Sequence, residues 1–120
     1  MKTYGLGIDL VEIGRLERAL ARYPRLADRI FTEAELAEAG RNGRPGPHLA
    51  GRFAVKEAVV KALALRPGAA LRSIEVLGSA PPKVQLHGEA AEAAEAIGAT
   101  VKVSITHERK LAGAVALAEV

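Results

Sequence analysis

Four charged side chains interrupt an otherwise apolar run, Gly51-Arg52-Phe53-Ala54-Val55-Lys56-Glu57-Ala58-Val59-Val60-Lys61-Ala62-Leu63. At about 100° per residue the apolar positions surround nearly the whole helix, the mark of a segment buried on most sides. The i, i+4 spacing lines Glu57 up with Lys61 and Arg52 with Lys56. Ionised groups taken out of water need counter-charges, a ligand or a wet cleft. From this helix alone two readings stand: a site, or a solvated flank whose Glu-to-Lys pair contributes roughly 0.2 to 0.5 kcal/mol. Asp9 lies in Gly5-Leu6-Gly7-Ile8-Asp9-Leu10-Val11-Glu12-Ile13, where Gly5 and Gly7 leave room beside the carboxylate. Asp9 with Glu12 equally fits a helix N-cap and capping-box acid, a role worth about 1 kcal/mol. Arg15, Arg18 and Arg22 fall within an arc of roughly 60° on a helix, a basic stripe that is either a solvated face or a docking surface for an acidic partner.

The elements that must position these residues follow from periodicity. Leu6, Ile8 and Leu10 alternate with Gly7 and Asp9, so a strand is expected with the large residues inward and Asp9 on the other face. A helix is expected over Val11 to Tyr23, with Ile13, Leu16 and Leu20 on its apolar side. Pro24 interrupts it, and Thr32 caps a short helix from Glu33 to Ala39. Arg41 to His48 reads as a basic loop, too rich in Gly and Pro for regular structure, leading into the charged helix. Ser73 to Leu77 and Lys83 to His87 read as strands around Ala80-Pro81-Pro82, and Glu89 to Ile97 as a helix stopped by Gly98. Thr100 to Thr106 is a strand with Val101, Val103 and Ile105 inward, and Leu111 to Ala118 its antiparallel neighbour. The strands and helices intermix without regular parallel alternation, so the class is α+β.

The chain has 120 residues, a net charge of +3 and no cysteine. One domain over residues 1–120 is expected, with a core that a subunit interface could complete. The lack of cysteine removes disulfides and thiolate metal sites and fits a reducing compartment. No signal-peptide pattern and no apolar run of about 18 residues is present, so a cytoplasmic protein without a membrane span is expected. The basic balance favours an anionic partner: nucleic acid, a phosphorylated small molecule or an acidic protein. A nucleic-acid-binding module is the rival reading, but with two Tyr, two Phe and no Trp a base-stacking platform is poorly supplied.

Three patterns stand in order: Gly5-Leu6-Gly7-Ile8-Asp9-Leu10-Val11-Glu12-Ile13; Leu49-Ala50-Gly51-Arg52-Phe53-Ala54-Val55-Lys56-Glu57-Ala58 with Lys61-Ala62; and Val103-Ser104-Ile105-Thr106-His107. Together they closely resemble the holo-[acyl-carrier-protein] synthases, the small bacterial 4'-phosphopantetheinyl transferases, nearly end to end. Arg29-Ile30-Phe31-Thr32 with Glu35-Leu36 resembles the family's segment between the first two motifs. The resemblance implies a small antiparallel sheet packed against helices, in a trimer with sites between subunits. It implies Mg²⁺-dependent transfer of the phosphopantetheine arm of coenzyme A to a serine of apo acyl carrier protein, in fatty acid biosynthesis, without nucleic acid or membrane as partner. Asp9 and Glu57 match the metal-binding carboxylates, and the hard Mg²⁺ ion takes such oxygens. Lys61 is the candidate for stabilising the departing phosphate and Glu57 for accepting the serine proton, with Asp9 or water as alternative bases. Arg52, Lys56 and His107 match coenzyme A phosphate positions, to which Arg41 and Arg44 could add. Arg15, Arg18 and Arg22 match the helix that docks the carrier protein. Ser79-Ala80-Pro81-Pro82-Lys83 departs from the family's Gly-Lys-Pro type turn, and His48 is polar where an apolar residue is expected.

Overall fold

A computed structural model describes residues 1–120. Strand β1 (Thr3–Glu12) leads into helices α1 (Ile13–Arg22), α2 (Leu26–Ile30), α3 (Glu33–Gly40) and α4 (Pro45–Ala62). A 3-10 turn over Leu71–Ser73 precedes β2 (Ile74–Leu77) and β3 (Lys83–Leu86), and α5 (Gly88–Ile97) is followed by β4 (Thr100–Glu108) and β5 (Leu111–Glu119). The main sheet is antiparallel in the order β1-β5-β4, and β2 and β3 form a separate antiparallel pair. The class is α+β, as expected.

Alanines decide how closely α4 lies on the main sheet. Ala50, Ala54, Ala58 and Ala62 repeat every fourth residue along α4, and Ala112, Ala114, Ala116 and Ala118 every second residue along β5; all are buried. These periods put each set on one face of its element. On β1 the apposed residues are Gly5 and Gly7, where an added methyl group would collide with the carbonyl groups of Ala62 and Ala58. Backbone lies against backbone here, which only glycine permits.

This close approach reverses the expected sidedness of β1. Gly7 and Val11 face the core and Gly5 and Asp9 are half-buried, whereas Leu6, Ile8 and Leu10 are 70%, 63% and 68% exposed. In register with Ile8 on β5 stands Val115, itself 46% exposed, so the outer sheet face carries a continuous apolar strip. Hydrophobicity alone places large residues inward; here the helix leaves no room for them.

Two boundaries also move. Val11 and Glu12 belong to β1, and α1 starts at Ile13, whose N–H donates to the Lys110 carbonyl at 2.9 Å. Helix α4 begins at Pro45, so residues 45–48 are helical rather than loop. Proline fits there because first-turn N–H groups have no intrahelical acceptor to lose. The Thr32 capping box is present, with Glu35 Oε1 accepting from the Thr32 N–H at 2.8 Å. Gly98 closes α5 at φ 68°, and β4 turns Val101, Val103 and Ile105 toward the core.

Candidate active site

Asp9 sits within β1, four residues before α1 begins; the N-cap position belongs to Glu12, whose side chain makes no capping bond. The cap reading of Asp9 is therefore set aside. Lys61, from the last turn of α4, donates to the Ile8 carbonyl at 2.7 Å and holds its Nζ 3.4 Å from Asp9 Oδ1. Glu57 lies one turn earlier on α4. Burial, and then the charge of Asp9, push its carboxyl above the usual carboxylate range, with Lys61 opposing. Asp9 and Glu57 thus feel one another, and both line a cavity of about 420 Å³ walled mainly by apolar side chains of α1, α2 and α4.

Two repelling carboxylates with one ammonium beside them suit a hard dication. No group of three or more His, Cys, Asp or Glu residues surrounds them. An ion held by these two acids would keep positions for phosphate oxygens and water, as Mg²⁺ commonly does.

A second cavity, of about 810 Å³, is lined by Asn42, Arg44, His48, Arg52, Ser79, Pro81, Pro82 and His107 among others. Arg52 is almost wholly buried; its guanidinium stands 3.1 Å from Glu38 Oε1 and donates to the Gly78 carbonyl. The Glu38 carboxylate accepts from the Gly78 N–H at 3.0 Å. Burial works to raise the Glu38 carboxyl, but Gly78, Arg52 and His48 outweigh it and hold it low. His107 packs against Gly51, with Nε2 3.0 Å from the Pro47 carbonyl. Arg41 is exposed and does not line this cavity, whereas Arg44 does.

Lys56 departs from its expected place. Its Nζ is fully buried, pairs with Glu35 Oε1 at 2.8 Å and donates to the carbonyls of Leu71 and Ile74. Glu35 Oε2 in turn accepts from the Val76 N–H at 2.8 Å. Three donors of the ammonium meet three acceptors, so none is left for a phosphate group. Burial pulls the Lys56 pKa down, with Glu35 opposing. The pair ties α4 to α3, the 3-10 turn and β2. Sequence reasoning met Glu35 only in the segment that resembles the family, without a role, and nothing signalled Glu38, because partners in space 14 or more residues apart leave no periodic trace.

Arg15, Arg18 and Arg22 are all exposed along α1, and Arg15 also lines the Asp9–Glu57 cavity. The stripe therefore runs to the edge of the carboxylate pair. Asp9 and His107 belong to different halves of the sheet. Asp9 is opposite Ala114 and His107 opposite Ala112, with β5 between β1 and β4. Strand spacing alone separates their chains by about 10 Å.

Comparison with known proteins gives a consistent picture. Residues 5–116 match the family model described as the 4'-phosphopantetheinyl transferase superfamily. A holo-[acyl-carrier-protein] synthase of Moorella thermoacetica is 45% identical over 117 residues, covering 94% of this chain and 91% of that one. The crystal structure of holo-[acyl-carrier-protein] synthase from Neisseria meningitidis superposes with a TM-score of 0.86 at 33% identity, covering 98% of both chains. The Chronobacterium ammoniagenes ACPS–CoA complex superposes with a TM-score of 0.83 at 33% identity over 96% of each chain.

Proposed function

The chain belongs to the 4'-phosphopantetheinyl transferase superfamily, and from that premise we propose that it moves the phosphopantetheine arm of coenzyme A onto a serine hydroxyl of apo acyl carrier protein. Adenosine 3',5'-bisphosphate is the other product, and fatty acid biosynthesis is the process served. The observation that carries this reading is the meeting of Asp9 and Glu57 on one cavity wall, with Lys61 against Asp9.

Asp9 and Glu57 would hold Mg²⁺, which when bound offsets charge on the pyrophosphate oxygens. Lys61, on an exposed side chain that already reaches Asp9, neutralises charge on the departing phosphate. Glu57, whose pKa is raised by burial and the charge of Asp9, accepts the serine proton directly or through water. Arg52 and His107, with Arg44, hold the coenzyme A phosphates in the larger cavity. Lys56 positions α4 and is withdrawn from the ligand contacts. Arg15, Arg18 and Arg22 dock an acidic helix of the carrier protein, an attraction that speeds association and weakens with salt.

We assign all of residues 1–120 to one transferase domain, because elements from both ends share the core. The exposed strip of Leu6, Ile8, Leu10 and Val115 supports a homotrimer that covers it, with each site built between neighbours. In that arrangement the carboxylate cavity of one protomer meets the His107 cavity of the next. No helix is long and apolar enough to cross a membrane. The cysteine-free chain fits a reducing compartment, and we place the reaction in the cytoplasm.

The test is intact-mass spectrometry of apo acyl carrier protein incubated with this protein, coenzyme A and Mg²⁺. A gain of one phosphopantetheine arm, lost with a chelator, is expected. An unchanged mass with several carrier proteins overturns the reading.

A further inference from the structure

His48 occupies a position in the larger cavity that the reaction does not yet use. Its side chain is 10% exposed, with Nε2 3.3 Å from Glu38 Oε1 and Nδ1 3.1 Å from the Asn42 side-chain amide. The same Glu38 oxygen lies 3.1 Å from Arg52. One carboxylate oxygen is therefore shared by a guanidinium and an imidazole. The sharing is incomplete: Arg52 Nε is buried without a hydrogen bond, and His48 Nε2, though 3.3 Å from Glu38 Oε1, is not aligned to form one. Buried polar groups are rarely left so, and two beside one carboxylate are free to take a new acceptor if a ligand supplies it.

We propose that coenzyme A binds with uptake of a solvent proton at His48, which takes over Glu38 and lets Arg52 turn its guanidinium to a phosphate group. This rests on the transferase reading and names a positioning residue within its binding site. The groups facing His48 and its cavity are Glu38 from α3, Arg44 from the preceding loop, Arg52 from α4, His107 and Glu108 from β4, and Arg109 from the β4–β5 turn. Without ligand, the cations among them disfavour a further positive charge. Burial, Arg52 and His107 hold His48 below the ordinary imidazole range, with Glu38 opposing. A phosphate group entering the cavity reverses that balance and favours imidazolium. Protonation also reaches the loop. Nδ1 changes from acceptor to donor, so the Asn42 amide must present its oxygen, which now accepts from the Arg44 N–H at 2.8 Å. The Arg44 N–H is thereby released beside the cavity.

The sign follows from linkage. Binding raises the His48 pKa, so affinity increases as pH falls through the ligand-bound value and levels off below the lower, free value. Each unit by which binding raises that pKa gives about a tenfold change in affinity. The experiment is titration calorimetry of the purified oligomer with coenzyme A, in two buffers of different ionisation enthalpy, from about pH 6 to 8, the range in which imidazole titrates. His48→Phe and His48→Gln are measured alongside. The phosphates of coenzyme A contribute their own proton exchange to every protein, so the difference in proton count is decisive. Greater uptake by the wild type than by either variant, with a flatter pH dependence of affinity in both variants, is expected. An equal proton count in a protein that still charges carrier protein overturns the inference alone. Failure of the wild type to bind coenzyme A at any pH overturns the transferase reading and the inference with it.

Discussion

At the scale of single residues, neighbours on α4 have opposite fates. Glu57 and Lys61 turn to β1 and the cavity beside Asp9, while Lys56, one residue before Glu57, turns to the interior and Glu35. A step of about 100° around the helix separates the proposed reacting group from a structural one. The motif made all three legible as important, but only the burial of Lys56 reveals its role, because sequence spacing does not say which face meets solvent. Glu57→Gln keeps the shape and removes the charge. Steady-state kinetics should show transfer falling by about 10³-fold with the fold retained, and Lys61→Ala falling by about 10²-fold, mostly in kcat. An active Glu57→Gln protein would sink the site.

At the scale of elements, the glycines of β1 set the distance to α4 and so the reach of Glu57 and Lys61 to Asp9. Gly7→Ala has no space to relieve the collision with the Ala58 carbonyl. Chemical denaturation should show a loss of about 3 kcal/mol or more. The expected strand, the capped α3, α5 with its Gly98 stop and the β4–β5 hairpin were all readable, because each carries its signal locally. The inverted face of β1 was not, since the residue types that point inward depend on how near a helix 50 residues away approaches. On β2, Glu75 accepts from the Thr32 hydroxyl at 2.6 Å and stands 3.2 Å from His87. The Thr32 bond, with His87 helping against burial, lowers its pKa from the ordinary 4.5. A depressed carboxyl stabilises the fold above its unfolded pKa and loses that contribution as pH falls through the folded one. Thermal melts should therefore show the wild type's advantage over Glu75→Gln, about 1 kcal/mol at neutral pH, vanishing at pH values well below 4.5.

At the scale of the whole molecule, the carboxylate cavity and the His107 cavity lie apart in one protomer, and the apolar strip of β1 and β5 is open. The proposed trimer answers both observations. Asp9→Ala and His107→Ala proteins, each inactive, should recover activity when unfolded and refolded together, because about one site in four then draws both intact residues from different chains under random assembly. Recovery absent from a mixed oligomer would place the whole site within one protomer. The sealed pair of Lys56 and Glu35 also predicts a slow step in folding. Its partners run from Thr32 to Val76, so its charges shed water only as distant segments arrive. A half-assembled chain that buried them would meet the desolvation cost before the compensating bonds exist. The joint replacement Lys56→Met with Glu35→Leu should then refold several-fold faster in stopped-flow experiments, whereas Glu35→Ala alone, which strands the ammonium, should lose about 3 to 5 kcal/mol. Speed of assembly is thus traded for a helix whose rotation has one solution.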